Sequence, residues 1–148
     1  MNRKGFTLVE ILIVVIILGI LAAIVIPQFT EASNDARESA LTSDLQTARS
    51  QLELYKVQHL DSYPGATILD QLTKRTNASG TLMPSDGQEA DYPYGPYLQK
   101  FPSNPFVSGT ATNTVETGTG APGGGNAGWY YNTSTGQIWP DDDAHKNL

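Results

Sequence analysis

The sequence predicts an α+β protein in which one long N-terminal helix, spanning about residues 6–60, packs its C-terminal half against a short helix and a small antiparallel sheet. Three observations lead to this fold class. Residues 11–26 are uncharged and almost wholly apolar, no glycine or proline interrupts residues 28–62, and two short aromatic segments near the C-terminus flank a turn. With 148 residues, the chain has the length of one domain of ordinary size.

The N-terminal apolar segment is long enough to cross a membrane. Residues 6–26 would form a helix of about 31 Å at 1.5 Å per residue, which matches the hydrocarbon thickness of a bilayer. Arg3 and Lys4 precede this segment, and positive charge is retained on the cytoplasmic side of a membrane. The sequence therefore predicts a single-pass protein with its N-terminus inside and the rest of the chain outside.

Three interpretations of this segment remain open. A secretory signal peptide would be removed after the apolar run, but the chain contains no A-x-A cleavage site. A plain signal anchor explains the length and the basic flank. It does not explain Glu10, because a carboxylate deep in a bilayer costs about 2.5–3.5 kcal/mol. The third interpretation depends on the stretch that surrounds this glutamate, RKGFTLVE.

RKGFTLVE resembles the processing site of the type IV filament family, which comprises type IV pilins and the pseudopilins of type II secretion. The resemblance implies that a prepilin peptidase cuts between Gly5 and Phe6 and methylates the new N-terminal Phe6. Residues 1–5 would then be a leader peptide and residues 6–27 a transmembrane and filament-core helix. Residues 28–148 would form a soluble, pilin-like head.

Glu10 has a physical reason to lie within the apolar run. In a helix it lies one turn after Phe6, on the same face as the ammonium group that cleavage would leave there. Pairing with its own amine or with that of a neighbouring subunit would relieve the cost of an isolated charge. The resemblance implies the neighbour, which makes Glu10 an assembly residue. It also implies a weak zone in the helix at Gly19 and Pro27, with an ordinary proline kink as the alternative.

The helix is predicted to become amphipathic beyond Pro27 and to carry the head on one stripe. Apolar residues recur there at spacings of four and three, as on one face of a helix. The stripe comprises Leu41, Leu45, Ala48, Leu52 and Tyr55.

The C-terminal part predicts three further elements. TILDQLTKRT is typical of a short helix with Thr67 as its N-cap, and Gly/Thr-rich residues 110–128 indicate a flexible exposed loop. Residues 129–131 and 137–139 predict a hairpin that lies on the long helix. The segment GPYLQKFPSNPF, residues 95–106, resembles the corresponding segment of G-type major pseudopilins, which implies that branch of the family.

Few residues suggest binding chemistry. Asp141, Asp142 and Asp143 form an acidic cluster for which an oxygen-rich Ca²⁺ site and a solvated tail are the two hypotheses. G-type pseudopilins bind calcium in a C-terminal loop with spaced Asp and Gly residues, whereas this chain continues with AHKNL. His59 and His145 are expected to be structural or solvent-exposed. The net charge of −6 argues against a nucleic-acid partner.

Together, these resemblances imply a structural subunit of a type II secretion pseudopilus, and no pattern in the sequence supports an enzyme. The resemblance implies a homopolymer that drives protein export, anchored in the inner membrane with its head in the periplasm. Its implied partners are prepilin peptidase, the inner-membrane assembly platform, minor pseudopilins and, before assembly, membrane lipid. The alternatives are a type IV pilin for adhesion, motility or DNA uptake, and an interaction domain on a simple membrane anchor.

Overall fold

The computed structural model describes residues 5–123, 125 and 127–148, so most of the predicted leader lies outside the described residues. The chain divides into two compact units, one ending at Glu38 and the other spanning Ser39–Leu148. The elements confirm the predicted α+β class. They are helices α1 (Leu8–Gln58) and α2 (Ile68–Thr73), two 3₁₀ turns (Glu89–Asp91 and Gly109–Ala111), and strands β1 (Val115–Gly118), β2 (Trp129–Asn132) and β3 (Ile138–Pro140).

Helix α1 confirms the long helix, with ends about two residues inside the predicted ones. Its apolar part reaches a mean hydropathy of 3.3 over 18 residues, enough to cross a membrane by length and composition. The helix ends because Leu60 and Asp61 adopt left-handed φ angles of 55° and 62°. The Asp61 N–H then donates to the Lys56 carbonyl at 3.1 Å, which satisfies a carbonyl of the last turn.

The hydrophobic core of the second unit forms on the predicted stripe of α1. All five stripe residues are buried, and they pack against α2, Phe101 and the sheet. Side chains alternate along the strands, so Trp129 and Tyr131 enter this core with no exposed surface. Tyr130 and Trp139 pair across the strands, with ring centroids 6.4 Å apart. The hairpin prediction is therefore confirmed, and Trp129 and Tyr131 belong to the core.

The sheet differs from the predicted one in two ways. It is a mixed sheet of order β1-β2-β3, because β1 runs parallel to β2 while β3 is antiparallel to it. Strand β1 also occupies residues 115–118, so the prediction of a flexible exposed loop over residues 110–128 is wrong for this part of the segment. Composition is misleading for these residues because pairing with β2 orders β1 through backbone hydrogen bonds, such as those from Trp129 N to Thr114 O and from Thr133 N to Gly118 O.

Helix α2 forms where it is predicted, with Thr67 at the N-cap position, but without a side-chain capping hydrogen bond. Support comes instead from packing, since Ile68 and Leu72 are buried, and from an exposed ion pair between Lys74 and Asp70 at 2.8 Å. Tertiary contacts therefore decide whether a helix this short persists.

His59 is a buried structural residue. Its ring stacks on Tyr55 with centroids 3.6 Å apart. Nδ1 lies 2.8 Å from the Tyr55 carbonyl and Nε2 lies 2.9 Å from Thr76 Oγ1. Because a carbonyl oxygen only accepts, Nδ1 carries a proton and donates to it, while Nε2 forms a hydrogen bond with the Thr76 hydroxyl. The imidazole thus connects the end of α1 to the chain that follows α2.

Tyr97 is expected to make the second unit less stable at alkaline pH. Burial, followed by the proximity of Tyr55 and Tyr94, raises the pKa of Tyr97 from 10.0 to about 12. The unfolded chain therefore loses this proton first, so the stabilising contribution is complete below about pH 10 and is lost towards about pH 12. We expect Tyr97→Phe to flatten the fall in unfolding free energy across this window, measured by urea unfolding at each pH. An unchanged slope would contradict the assignment.

Candidate functional site

The start of α1 is built by a reciprocal pair of side chains. The Thr7 amide and hydroxyl each donate to Glu10 Oε2 at 3.3 Å, and the Glu10 amide donates to Thr7 Oγ1 at 3.3 Å. This is a capping box, in which two residues three positions apart satisfy N–H groups that lack partners in the first helical turn. It explains why the helix begins at Leu8 and not at the predicted Phe6.

The predicted cleavage bond lies just ahead of this cap, in chain that is not helical. Gly5, Phe6 and Thr7 precede the first helical residue and are exposed, with Phe6 78% accessible. A Cβ placed on Gly5 would meet nothing within 4 Å. Within the described residues, the peptide between Gly5 and Phe6 therefore lies in exposed chain that precedes the helix.

Glu10 thus has a local partner that the sequence interpretation did not anticipate. The signal was present, because T-x-x-E ahead of an apolar run is the sequence signature of a capping box. The carboxylate also lies in the first turn, where the positive end of the helix dipole favours negative charge. A role in joining subunits stays a prediction, and it must now be separated from this capping role.

Gly19 and Pro27 lie within the uninterrupted part of α1. The helix continues through Pro27, and Gly19 is open to added side-chain volume because its Cβ would meet nothing within 4 Å. The Thr30 hydroxyl donates to the Ile26 carbonyl at 3.1 Å, beside the proline. The weak zone at these two positions stays a prediction.

The acidic run at the C-terminal end separates into three environments. Asp141 is buried and its Oδ2 accepts from the Ala127 amide at 3.2 Å. Asp142 accepts from Asn104 Nδ2 at 2.9 Å, and Asp143 forms an ion pair with Lys146 at 3.0 Å while its side chain is 92% exposed. Across residues 5–123, 125 and 127–148, no three His, Cys, Asp or Glu residues lie close enough to hold a metal ion together.

Arg49 connects α1 to the C-terminal part of the chain, a role that the sequence analysis did not predict. Its Nη2 donates to the carbonyls of Ile138 and Leu148, each at 3.1 Å, and burial lowers the pKa of its guanidinium. The side chain also lines a cavity of about 230 Å³ with Tyr63 and Trp139. Arg49 thus fixes β3 and the C-terminal end of the chain against α1.

Comparison with protein families gives one matching model. Residues 1–26 match the prokaryotic N-terminal methylation motif, a segment that includes Gly5, Phe6 and Glu10. The match covers both the peptide ahead of α1 and the apolar start of the helix.

Comparison with individual proteins extends the similarity into the second unit. The chain is 33% identical over 106 residues to type II secretion system core protein G of Pseudomonas aeruginosa, covering 71% of this chain and 69% of that protein. It is 32% identical over 107 residues to core protein G of Klebsiella pneumoniae, covering 72% and 71%. Core protein G of Pectobacterium carotovorum is 31% identical over 105 residues, covering 71% and 63%. No solved structure matches the chain.

Proposed function

This chain belongs to the family of type II secretion system core protein G and is a pseudopilin subunit, and we propose that it is cut between Gly5 and Phe6, methylated on Phe6 and polymerised with further copies of itself into a pseudopilus that drives protein export. One observation carries the proposal. The capping box begins the helix at Leu8, so the peptide to be cut lies in exposed, non-helical chain inside the methylation motif.

Cleavage at this position would change the electrostatics of the helix start. A new ammonium on Phe6 would lie near the positive end of the helix dipole, which is unfavourable for a cation. The Glu10 carboxylate is the acidic group of the first turn and supplies compensating charge. Glu10 Oε2 accepts from the Thr7 amide and hydroxyl at 3.3 Å, a length typical of a weak hydrogen bond. When a second subunit arrives, its ammonium can therefore displace Thr7 and bind this oxygen. Glu10 would then fix the position of one helix against the next.

The family and the apolar helix support the proposed cellular setting. The precursor inserts once into the inner membrane with Arg3 and Lys4 in the cytoplasm and its head in the periplasm. Prepilin peptidase processes it, and the inner-membrane assembly platform and minor pseudopilins join it to the filament. Its apolar residues contact lipid before assembly and other subunits afterwards. In this function the chain is a structural element, on which the peptidase acts.

Mass spectrometry of the mature N-terminus tests the proposal directly. We expect the intact mass and the N-terminal peptide of the membrane-extracted protein to correspond to a chain that begins with N-methylated Phe6. Gly5→Leu is the matched control. It replaces the residue directly before the predicted cleavage bond, and its side chain enters open space, so α1 should stay undisturbed. That variant is expected to keep residues 1–5. A wild-type chain that retains residues 1–5, or one that begins beyond residue 26, would refute the proposal.

A further inference from the structure

Calcium is the ligand that the family resemblance implies for the C-terminal part of the head, so the acidic residues there must be tested for their fit to it. Ca²⁺ takes six to eight oxygen ligands, mostly carboxylates and carbonyls that converge on one point. The three consecutive carboxylates do not converge. Asp141 is directed into the protein, where it accepts from Ala127 N, and the side chain of Asp143 is 92% exposed. The side chain of Asp142 is intermediate, with 12% of its surface exposed.

Both oxygens of Asp142 already accept hydrogen bonds from the protein. Oδ2 accepts from Asn104 Nδ2 at 2.9 Å. Oδ1 accepts from the His145 amide at 3.1 Å and from His145 Nδ1 at 2.5 Å. Nδ1 must carry a proton in this contact, because a carboxylate only accepts. Three N–H donors thus provide the positive charge density that a cation would otherwise provide, and a cation would have to displace them.

Asn104 extends this arrangement into the rest of the head. Its side chain has no exposed surface, and Nδ2 also donates to the Gly128 carbonyl at 2.9 Å while Oδ1 accepts from the Phe106 amide at 2.9 Å. The orientation of the amide is fixed, because two acceptors lie on one side and a donor on the other. The His145 ring packs on Phe106 with centroids 4.1 Å apart.

We propose that Asn104, Asp142 and His145, named here the C-terminal clasp, hold the end of the head in place of a divalent cation, so that this pseudopilin folds independently of calcium. The clasp joins residues 104–106, Gly128 and residues 142–145, which are three separate parts of the chain. The side chains of Asp142 and His145 are only 12% and 13% exposed, so water competes weakly for their contact. The inference concerns the stability of the head and does not rest on cleavage or polymerisation.

Thermal unfolding of the full chain in detergent micelles tests this inference. The fluorescence of Trp129, which has no exposed surface, reports on the core beside the clasp. Wild-type midpoints in excess CaCl₂ and in excess EGTA are expected to coincide. Asp142→Asn weakens the charge-assisted hydrogen bonds and is expected to lower the midpoint by about 5–10 °C in both solutions. Asp143→Asn is the matched control, with the same change of charge at an exposed neighbour and no expected shift.

Two outcomes would overturn the inference. One is a wild-type midpoint that rises with calcium, together with loss of that rise in Asp142→Asn, since this behaviour identifies a calcium site. The other is an Asp142→Asn midpoint equal to that of the wild type. If Asp142→Asn does not fold, His145 supplies a milder pair of variants. His145→Asn keeps an N–H donor near the position of Nδ1 and should unfold at a higher temperature than His145→Ala, whereas equal midpoints would contradict the clasp. Because none of these measurements depends on the N-terminus, failure of the clasp is distinguishable from failure of the proposed function.

Discussion

Glu10→Ala is expected to give a subunit that is cut after Gly5 and methylated on Phe6 but is almost absent from filaments. The physical reason is the ammonium on Phe6, which has no carboxylate partner once the side chain is removed. Breaking a buried ion pair typically costs about 3–5 kcal/mol, so the amount of assembled filament should fall by more than about tenfold. Sheared filament fractions measured by immunoblot report assembly, and peptide mass spectrometry of the membrane fraction reports processing.

Glu10→Gln separates the two roles that the structure leaves for this residue. Glutamine retains a side-chain oxygen that can accept from the Thr7 amide and hydroxyl, so the capping box is preserved while the negative charge is lost. If charge pairing between subunits is the function, Glu10→Gln should fail to assemble as severely as Glu10→Ala. Assembly by Glu10→Gln at the wild-type level would instead assign Glu10 to helix capping alone.

The parts of the fold that were predictable from the sequence depend on local periodicity. Spacings of four and three placed Leu41 and Leu52 on the buried face of α1, and a turn between aromatic segments identified β2 and β3. Both patterns are carried by residues that are close in sequence, where helix and strand geometry dictate which side chains share a face. The methylation motif is equally local, because the relevant chemistry lies within the first ten residues.

The parts that were missed depend on contacts between distant positions or on backbone pairing. Asn104 contacts Gly128 across 24 positions and Asp142 across 38, and no spacing rule connects such residues. Strand β1 is ordered by its parallel partner β2, so its own Gly/Thr composition carried little information. The Thr7–Glu10 cap is an exception. Its signal was local, but the interpretation of Glu10 as a charge-pairing residue took precedence over its role as a cap.

Gly128→Ala is expected to be among the most destabilising single-methyl additions in the head. A Cβ at this position would lie 2.6 Å from the Thr112 carbonyl carbon and closer still to its oxygen. The Thr112 carbonyl cannot move away freely, because it accepts from the Asn104 amide at 2.7 Å. The Gly128 carbonyl is also held, by Asn104 Nδ2 and by the Asp141 amide. With both backbones fixed, overpacking should lower the free energy of unfolding by about 2–3 kcal/mol.

Gly123→Ala is the matched control for Gly128→Ala. Gly123 belongs to the same glycine-rich segment, but a Cβ there would meet nothing within 4 Å, so its free energy of unfolding should stay within about 0.5 kcal/mol of the wild type. Urea unfolding followed by tryptophan fluorescence measures both variants on the full chain. Equal and small effects of the two substitutions would contradict the close packing of Gly128 against Thr112. If only Gly128→Ala destabilises the head, the glycine there is a packing requirement, imposed by the close approach of the chain that leads into β1.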